Sequence, residues 1–227
     1  LTPWHNDPVS DPPAEVVYLR DEETGAVWTP TPLPAGGACG VWHGAGYTSF
    51  AQDRGTLATE LTAFVPVADP VKVIRLRVHN RGDKTRRLAA AYFADLVLGT
   101  TRDQTAGTVV TEVDPTSGAF LARNSFAADF GAAVTFVDTS LRPRTYTGDR
   151  VEFLGRNRTP ANPAALRRAT LSNHVGAGLD PCAAVLGAFE VHPGHTMTVV
   201  FVIGQAADRE KAVWMAGKFR QADDADA

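Results

Sequence analysis

Trp42-His43-Gly44-Ala45-Gly46-Tyr47 places two aromatic rings, an imidazole and two glycines within six residues. Glycine lets the backbone bend, so the rings and the imidazole are able to face one ligand. Saccharide sites work this way, with sugar faces stacked on aromatics and polar groups setting orientation. Trp42 and Tyr47 equally suit ordinary half-buried positions in a sheet. His43 has the chemistry of a general base, but sequence assigns it no Asp or Glu partner. Arg156 and Asn157, in Gly155-Arg156-Asn157-Arg158, and the Arg123-Asn124 pair carry planar hydrogen-bonding groups suited to hydroxyls or phosphate. Surface arginines with no ligand look the same.

Acidic residues cluster near the start: Asp7 with Asp11, then Asp21-Glu22-Glu23 after Arg20. Paired carboxylates at the right separation do acid–base work on glycosides. Asp-Pro steps are also conformational signals, because proline holds the preceding residue extended. Loop structure is the plainer reading, with Asp7, Asp11, Arg20 and Asp21 as cleft-lining or interdomain candidates and no residue assigned a catalytic role. His192 and His195 flank a Pro-Gly turn and make half a metal site with no third ligand. Neither a metal nor a cofactor is expected. Cys39 and Cys182 fit no CxxC pattern and read as two reduced thiols, with a disulfide as the alternative.

The chain has 227 residues, 44% hydrophobic, with a net charge of −3. That is enough for one large β domain, and it provides no basic field to recruit nucleic acid. No apolar run approaches the roughly 20 residues of a membrane span, and no signal peptide opens the chain. The first residue, Leu rather than Met, reads as an excised or processed product. Asn157-Arg158-Thr159 matches a glycosylation sequon, read here as accidental. No phosphate-binding glycine loop or nucleophile elbow is present.

The elements that must position these residues are mostly strands. Leu57, Thr59, Leu61 and Ala63 alternate with Ala58, Glu60, Thr62 and Phe64; Ile74, Leu76 and Val78 alternate with Arg75, Arg77 and His79. This period of two predicts long strands, and with 88–98 it predicts a three-stranded antiparallel meander over 57–98. The polar row Arg75, Arg77 and His79 suits a solvated face or a polar concave groove. Further strands are expected at 108–113, 119–123, 132–138, 184–191 and 196–203, the last two as a hairpin through Pro193-Gly194. Helix signals are few: a short turn capped by Asn162-Pro163, and a terminal helix with Asp208 as N-cap and Ala212, Met215, Ala216 and Phe219 on one face. Long mixed-face strands predict an all-β fold, two broad sheets packed as a large antiparallel β super-sandwich with a C-terminal helix.

The stretches NDPVSDPPAEVVYLRDEETGAVWTPTPLP, WHGAGYTSF, ELTAFVPVADPVKVIRLRVHNR, TGDRVEFLGRNR and GAGLDPCAAV resemble the N-terminal β domain of glycoside hydrolase family 94, formerly glycosyltransferase family 36. The similarity is greatest to the phosphorylase-like region of cyclic β-1,2-glucan synthases. It implies a galactose-mutarotase-like super-sandwich over 1–206, with 207–227 as helix and tail leading toward an (α/α)6 catalytic barrel that this sequence does not contain. It also implies a non-catalytic carbohydrate-binding or architectural role. The implied partners are β-glucan oligosaccharide, the barrel and a homodimeric copy, in a cytosol-facing piece of a bacterial inner-membrane parent. The alternatives are an aldose-epimerase-like enzyme, on fold alone, and a purely structural dimerisation domain.

Overall fold

The computed structural model describes residues 1–3 and 12–221. The chain begins with β1 (Glu15–Asp21) and β2 (Val27–Trp28), then β3 (Gly40–Gly44), β4 (Tyr47–Arg54), β5 (Leu57–Phe64), β6 (Val71–Asn80) and β7 (Arg86–Asp95). Helix α1 (Arg102–Thr105) precedes β8 (Val110–Val113), β9 (Phe120–Arg123), β10 (Val134–Thr139) and β11 (Arg144–Asp149). Helix α2 (Arg150–Leu154) and a 3₁₀ turn (Ala164–Arg167) lead to β12 (Pro181–Val191), β13 (Thr196–Ala206) and helix α3 (Arg209–Phe219).

These strands form two antiparallel sheets: one of five strands, ordered β11-β12-β7-β1-β2, and one of eight, ordered β3-β4-β5-β6-β13-β10-β9-β8. The expected meander holds only for its first two strands. β5 pairs with β6, but β7 crosses to the other sheet and pairs with β1 and β12. The residues of β7 explain the departure. Leu88, Ala89, Ala90, Ala91, Tyr92, Phe93 and Ala94 are buried on both faces, and only a strand covered on both sides accommodates them. The expected hairpin through Pro193-Gly194 is likewise a corner between sheets. Gly194 takes the positive φ of +72° that the turn requires, but β12 belongs to the five-stranded sheet and β13 to the eight-stranded one.

Asn80 ties the two corners together. It is fully buried. Its Nδ2 donates to the carbonyls of Lys84 (2.7 Å) and Val191 (2.9 Å), and its Oδ1 accepts from the N–H of Gly82 (2.9 Å). Its backbone N–H donates to His195 O and its carbonyl accepts from Gly194 N.

The inter-sheet core includes Leu19, Leu76, Leu88, Tyr92, Phe120 and Phe201. Tyr92 and Phe201 stack across the sheets at 5.7 Å between ring centroids. The outer face of the five-stranded sheet is covered by α2 and the 3₁₀ turn, where Phe153, Leu154 and Leu166 pack on Tyr18, Phe93 and Leu186. The sequence signalled a capped turn here, but no side chain caps the 3₁₀ segment; Asn162 Oδ1 accepts from Arg158 instead. Helix α3 folds back onto the eight-stranded sheet. Asp208 caps it, and Ala212, Met215, Ala216 and Phe219 lie on Val71, Val73, Val200 and Val202. Arg220 then donates to the fully buried Asp138 at 2.6 Å.

Asn80→Ala strips the carbonyls of Lys84 and Val191 of their donor, and a buried group left unsatisfied, as at Val191, costs about 1–3 kcal/mol. The urea midpoint is expected to fall accordingly, with Asn80→Asp at least as destabilising, since a carboxylate cannot donate to those carbonyls. An unchanged midpoint in both variants would show that the corner is held by its backbone bonds alone.

Candidate functional site

In strands, alternate residues share a face, and this decides which candidates meet. Trp42 is directly opposite Ser49, and Gly44 is opposite Tyr47. Tyr47, Ser49, Thr62 and Arg75 then lie on one side, because Ser49 faces Thr62 and Thr62 faces Arg75. The same side carries Glu60 opposite Arg77, and Ala58 opposite His79. This is the outer face of the eight-stranded sheet, in the part that α3 leaves uncovered.

The glycines explain how the aromatic rings lie. A Cβ on Gly40 would sit 2.6 Å from the Trp42 ring, and one on Gly44 would sit 2.1 Å from the Tyr47 ring. Each ring therefore sits against bare backbone at a glycine, with Trp42 56% and Tyr47 47% exposed. Gly46, at φ +86°, makes the turn between the two strands.

Around the rings lies a hydrogen-bonded polar field. Arg77 reaches Glu60 at 3.4 Å and Arg81 reaches Asp53 at 2.6 Å. Ser49 and Thr62 share a hydrogen bond of 2.8 Å, and His79 Nδ1 lies 3.0 Å from Thr196 Oγ1. Two open hollows meet at Glu60. One, of about 460 Å³, is lined by Trp42, Asp53, Arg77, His79 and Arg81. The other, of about 680 Å³, is lined by Tyr47, Thr62, Phe64, Val67 and Arg75.

The structure does not bring all the sequence candidates to this face. His43 lies between Trp42 and Gly44 on its strand and so points to the opposite side, where its Nδ1 lies 3.1 Å from Thr48 Oγ1. A single ligand stacked on Trp42 and Tyr47 is therefore beyond its side of the strand. Arg156 and Asn157, expected beside the same sugar, follow α2 in the segment leading to the 3₁₀ turn, elements that pack on the other sheet. Arg20 is buried in that same covering layer, donating to Glu22 (2.7 Å) and to the carbonyls of Leu166 (3.0 Å) and Arg168. Asp7 and Asp11 lie outside the described residues. His192 and His195 stand 6.2 Å apart, each held locally, by Thr85 and by the Pro193 carbonyl. Among the described residues no three potential ligands cluster for a metal, and both cysteines are free. Glu60 and Asp53 escaped the sequence reading. The alternation placed Glu60 on the outer face, but only the register sets it against Arg77.

The profile of the glycosyl hydrolase 94 supersandwich domain matches residues 1–222. The chain belongs to that family. It is 32% identical over 219 residues to the cyclic beta-(1,2)-glucan synthase NdvB of Rhizobium meliloti (strain 1021), covering 94% of this chain and 8% of that protein. It is 23% identical over 218 residues to the N,N'-diacetylchitobiose phosphorylase of Vibrio proteolyticus, covering 90% of this chain and 27% of that one. The chain thus spans about a quarter or less of the length of these relatives. Among solved structures it is similar to a GalM/aldose epimerase homologue from C. elegans, with a TM-score of 0.44 and 11% identity over 75% of this chain and 69% of that one. In this supersandwich no described helix is long and apolar enough to cross a membrane.

Asp21 has a structural task within the family fold. It is 2% exposed, accepts from the N–H groups of Glu23 and Thr24 at 2.9 Å each, and pairs with Arg86 of β7. Burial alone would push its carboxyl up, but Arg86 and the two N–H groups outweigh it and hold the carboxyl below the usual 3.8. A carboxyl depressed in the fold stabilises at pH above its unfolded value, and the contribution is lost as pH falls through the folded value. Asp21→Asn is expected to lower stability at neutral pH and to flatten the acid loss below about pH 4. Urea midpoints between neutral and acid pH check this; parallel curves for the two proteins would contradict it.

Proposed function

We propose that this domain is a non-catalytic, glycan-facing wall of a family 94-type β-glucan phosphorylase or cyclic β-1,2-glucan synthase. On this reading, residues 1–206 are the super-sandwich and 207–227 lead toward an (α/α)6 catalytic domain of the same parent chain. The observation that carries the proposal is the pair of exposed rings, Trp42 and Tyr47, set against Gly40 and Gly44 on the same face as Glu60, Arg75 and Arg77. Exposed aromatics offer a sugar its stacking partner, while Arg and Glu hydrogen-bond its hydroxyls. The sheet positions these groups without bringing together a nucleophile and a base. The role is therefore to bind and to shape a cleft, and bond cleavage falls to another domain. A cytosol-facing position in an inner-membrane parent, and pairing with a second copy, belong to the same proposal.

Titrating the chain with β-1,2-linked glucose oligosaccharides is expected to change tryptophan fluorescence and to shift the Trp42 indole resonance at millimolar sugar. Trp42→Ala should weaken binding roughly fivefold, in line with the ~0.5–1.5 kcal/mol of an aromatic contact. Gly44→Ala, which lifts the Tyr47 ring, should weaken binding while leaving the urea midpoint nearly unchanged. No response at tens of millimolar sugar, or one that survives Trp42→Ala, would overturn the reading.

A further inference from the structure

At the opposite end of the sandwich from Asn80, the two sheets part around a second and separate cleft of about 630 Å³. That volume lies within the range of small-molecule sites, roughly 300–1,000 Å³. Its walls are the segment leaving β7, helix α1, and the ends of β9, β10 and β13. We propose that this cleft is a binding site for a short neutral saccharide, distinct from the outer face of the eight-stranded sheet.

The chemistry of the lining selects the ligand. Gln104, Thr105, Thr108, Asn124, Thr135 and Gln205 contribute amides and hydroxyls, and Asp129 is the single charged side chain among the described residues lining it. An anion entering would shed water and meet only the Asp129 carboxylate as a charged side chain, whereas a hydroxyl-rich neutral molecule finds both donors and acceptors. Phe126 and Phe130 flank the opening, 82% and 65% exposed. Phenyl rings left in water beside uncharged polar groups match the mixed faces of a pyranose, whose C–H side stacks and whose hydroxyls bond.

The polar groups are held and still have capacity. Asn124 is 5% exposed; its Nδ2 donates to the Leu98 carbonyl at 3.1 Å and its Oδ1 accepts from Phe126 N at 3.2 Å. That pair of bonds also fixes the start of the loop carrying both phenylalanines. An amide has two donors and two lone pairs, so half of Asn124 stays available. The side chains of Gln104 and Gln205 make no hydrogen bond among the described residues, and the Thr135 hydroxyl on the floor of the cleft has none either. The backbone is shaped around the same point: a Cβ on Gly99 would sit 2.5 Å from Thr105 Cγ2 and 3.9 Å from Asn124 Nδ2.

The test is an amide-resolved NMR titration of the 227-residue chain with β-1,2- and β-1,4-linked glucose disaccharides, inorganic phosphate serving as the charged control. Saturable shifts are expected at Asn124, Phe126, Thr135 and Gln205 with a disaccharide and not with phosphate. The double variant Phe126→Ala/Phe130→Ala, and separately Gln205→Ala, should each weaken these shifts at least fivefold, and Trp42→Ala should leave them as they are. Shifts confined to Trp42 and Tyr47 would overturn the cleft site while leaving the outer-face reading intact. Absence of shifts at the cleft, an equal response to phosphate, or an unchanged affinity in both cleft variants would overturn it as well.

Discussion

One buried amide sets much of this architecture. Asn80 is at the point where β6 hands the chain to β7 and where β12 hands it to β13, and both handovers change sheet. A strand's side chains alternate with an exact period of two, so a slip of one residue would turn every core residue outward. By bonding to both corners at once, Asn80 holds the register of β6 and β13 in one sheet against that of β7 and β12 in the other. Asn80 is fully buried, so its bonds, above all the one to the Val191 carbonyl, are shielded from water. Their loss therefore costs more than their formation contributes.

That register also decides what the outer face of the eight-stranded sheet becomes. Along β6 the outward residues run Val71, Val73, Arg75, Arg77 and His79. The first two are beneath α3 with Met215 and Phe219, and the rest are beyond the helix. One strand thus carries an apolar seat for a helix and a polar strip for solvent or ligand, divided at a single step. The hairpin of β3 and β4 extends the polar strip with Trp42 and Tyr47, whose rings take their places only because Gly40 and Gly44 lack a Cβ. The five-stranded sheet has no such division. Its outer face is roofed by α2 and the 3₁₀ turn, so Arg20 and Arg168 there serve to hold the roof, and Asp21 braces the adjoining turn to Arg86.

The strands themselves were legible in the amino-acid sequence because alternation is local: β5, β6, β12 and β13 fall close to where their apolar residues predict them. The helix α3 was legible for the same reason, from its cap at Asp208 and its spacing of Ala212, Met215, Ala216 and Phe219. The pairing was not. Nothing local distinguishes a tight turn that folds two strands into a hairpin from one that sends the second strand to the facing sheet. Pro193-Gly194 serves either purpose. The doubly apolar faces of β7 and β12 carried the signal, since each needs cover on both sides, but the covering residues come from distant segments.

The candidate site divides along the same line. Sequence alone determined the residue types able to meet a sugar, the freedom of Gly44 and Gly46, the polar row of β6 and the membership of a family. All of these are properties of single residues or of neighbours along the chain. Only the tertiary structure decided that Trp42 and Tyr47 share a face with Glu60 and Arg75, that His43 points away, and that Arg156 and Asn157 lie on the opposite layer. Those are facts about registers and layers, set by which strands bury which faces, and no spacing within one strand contains them.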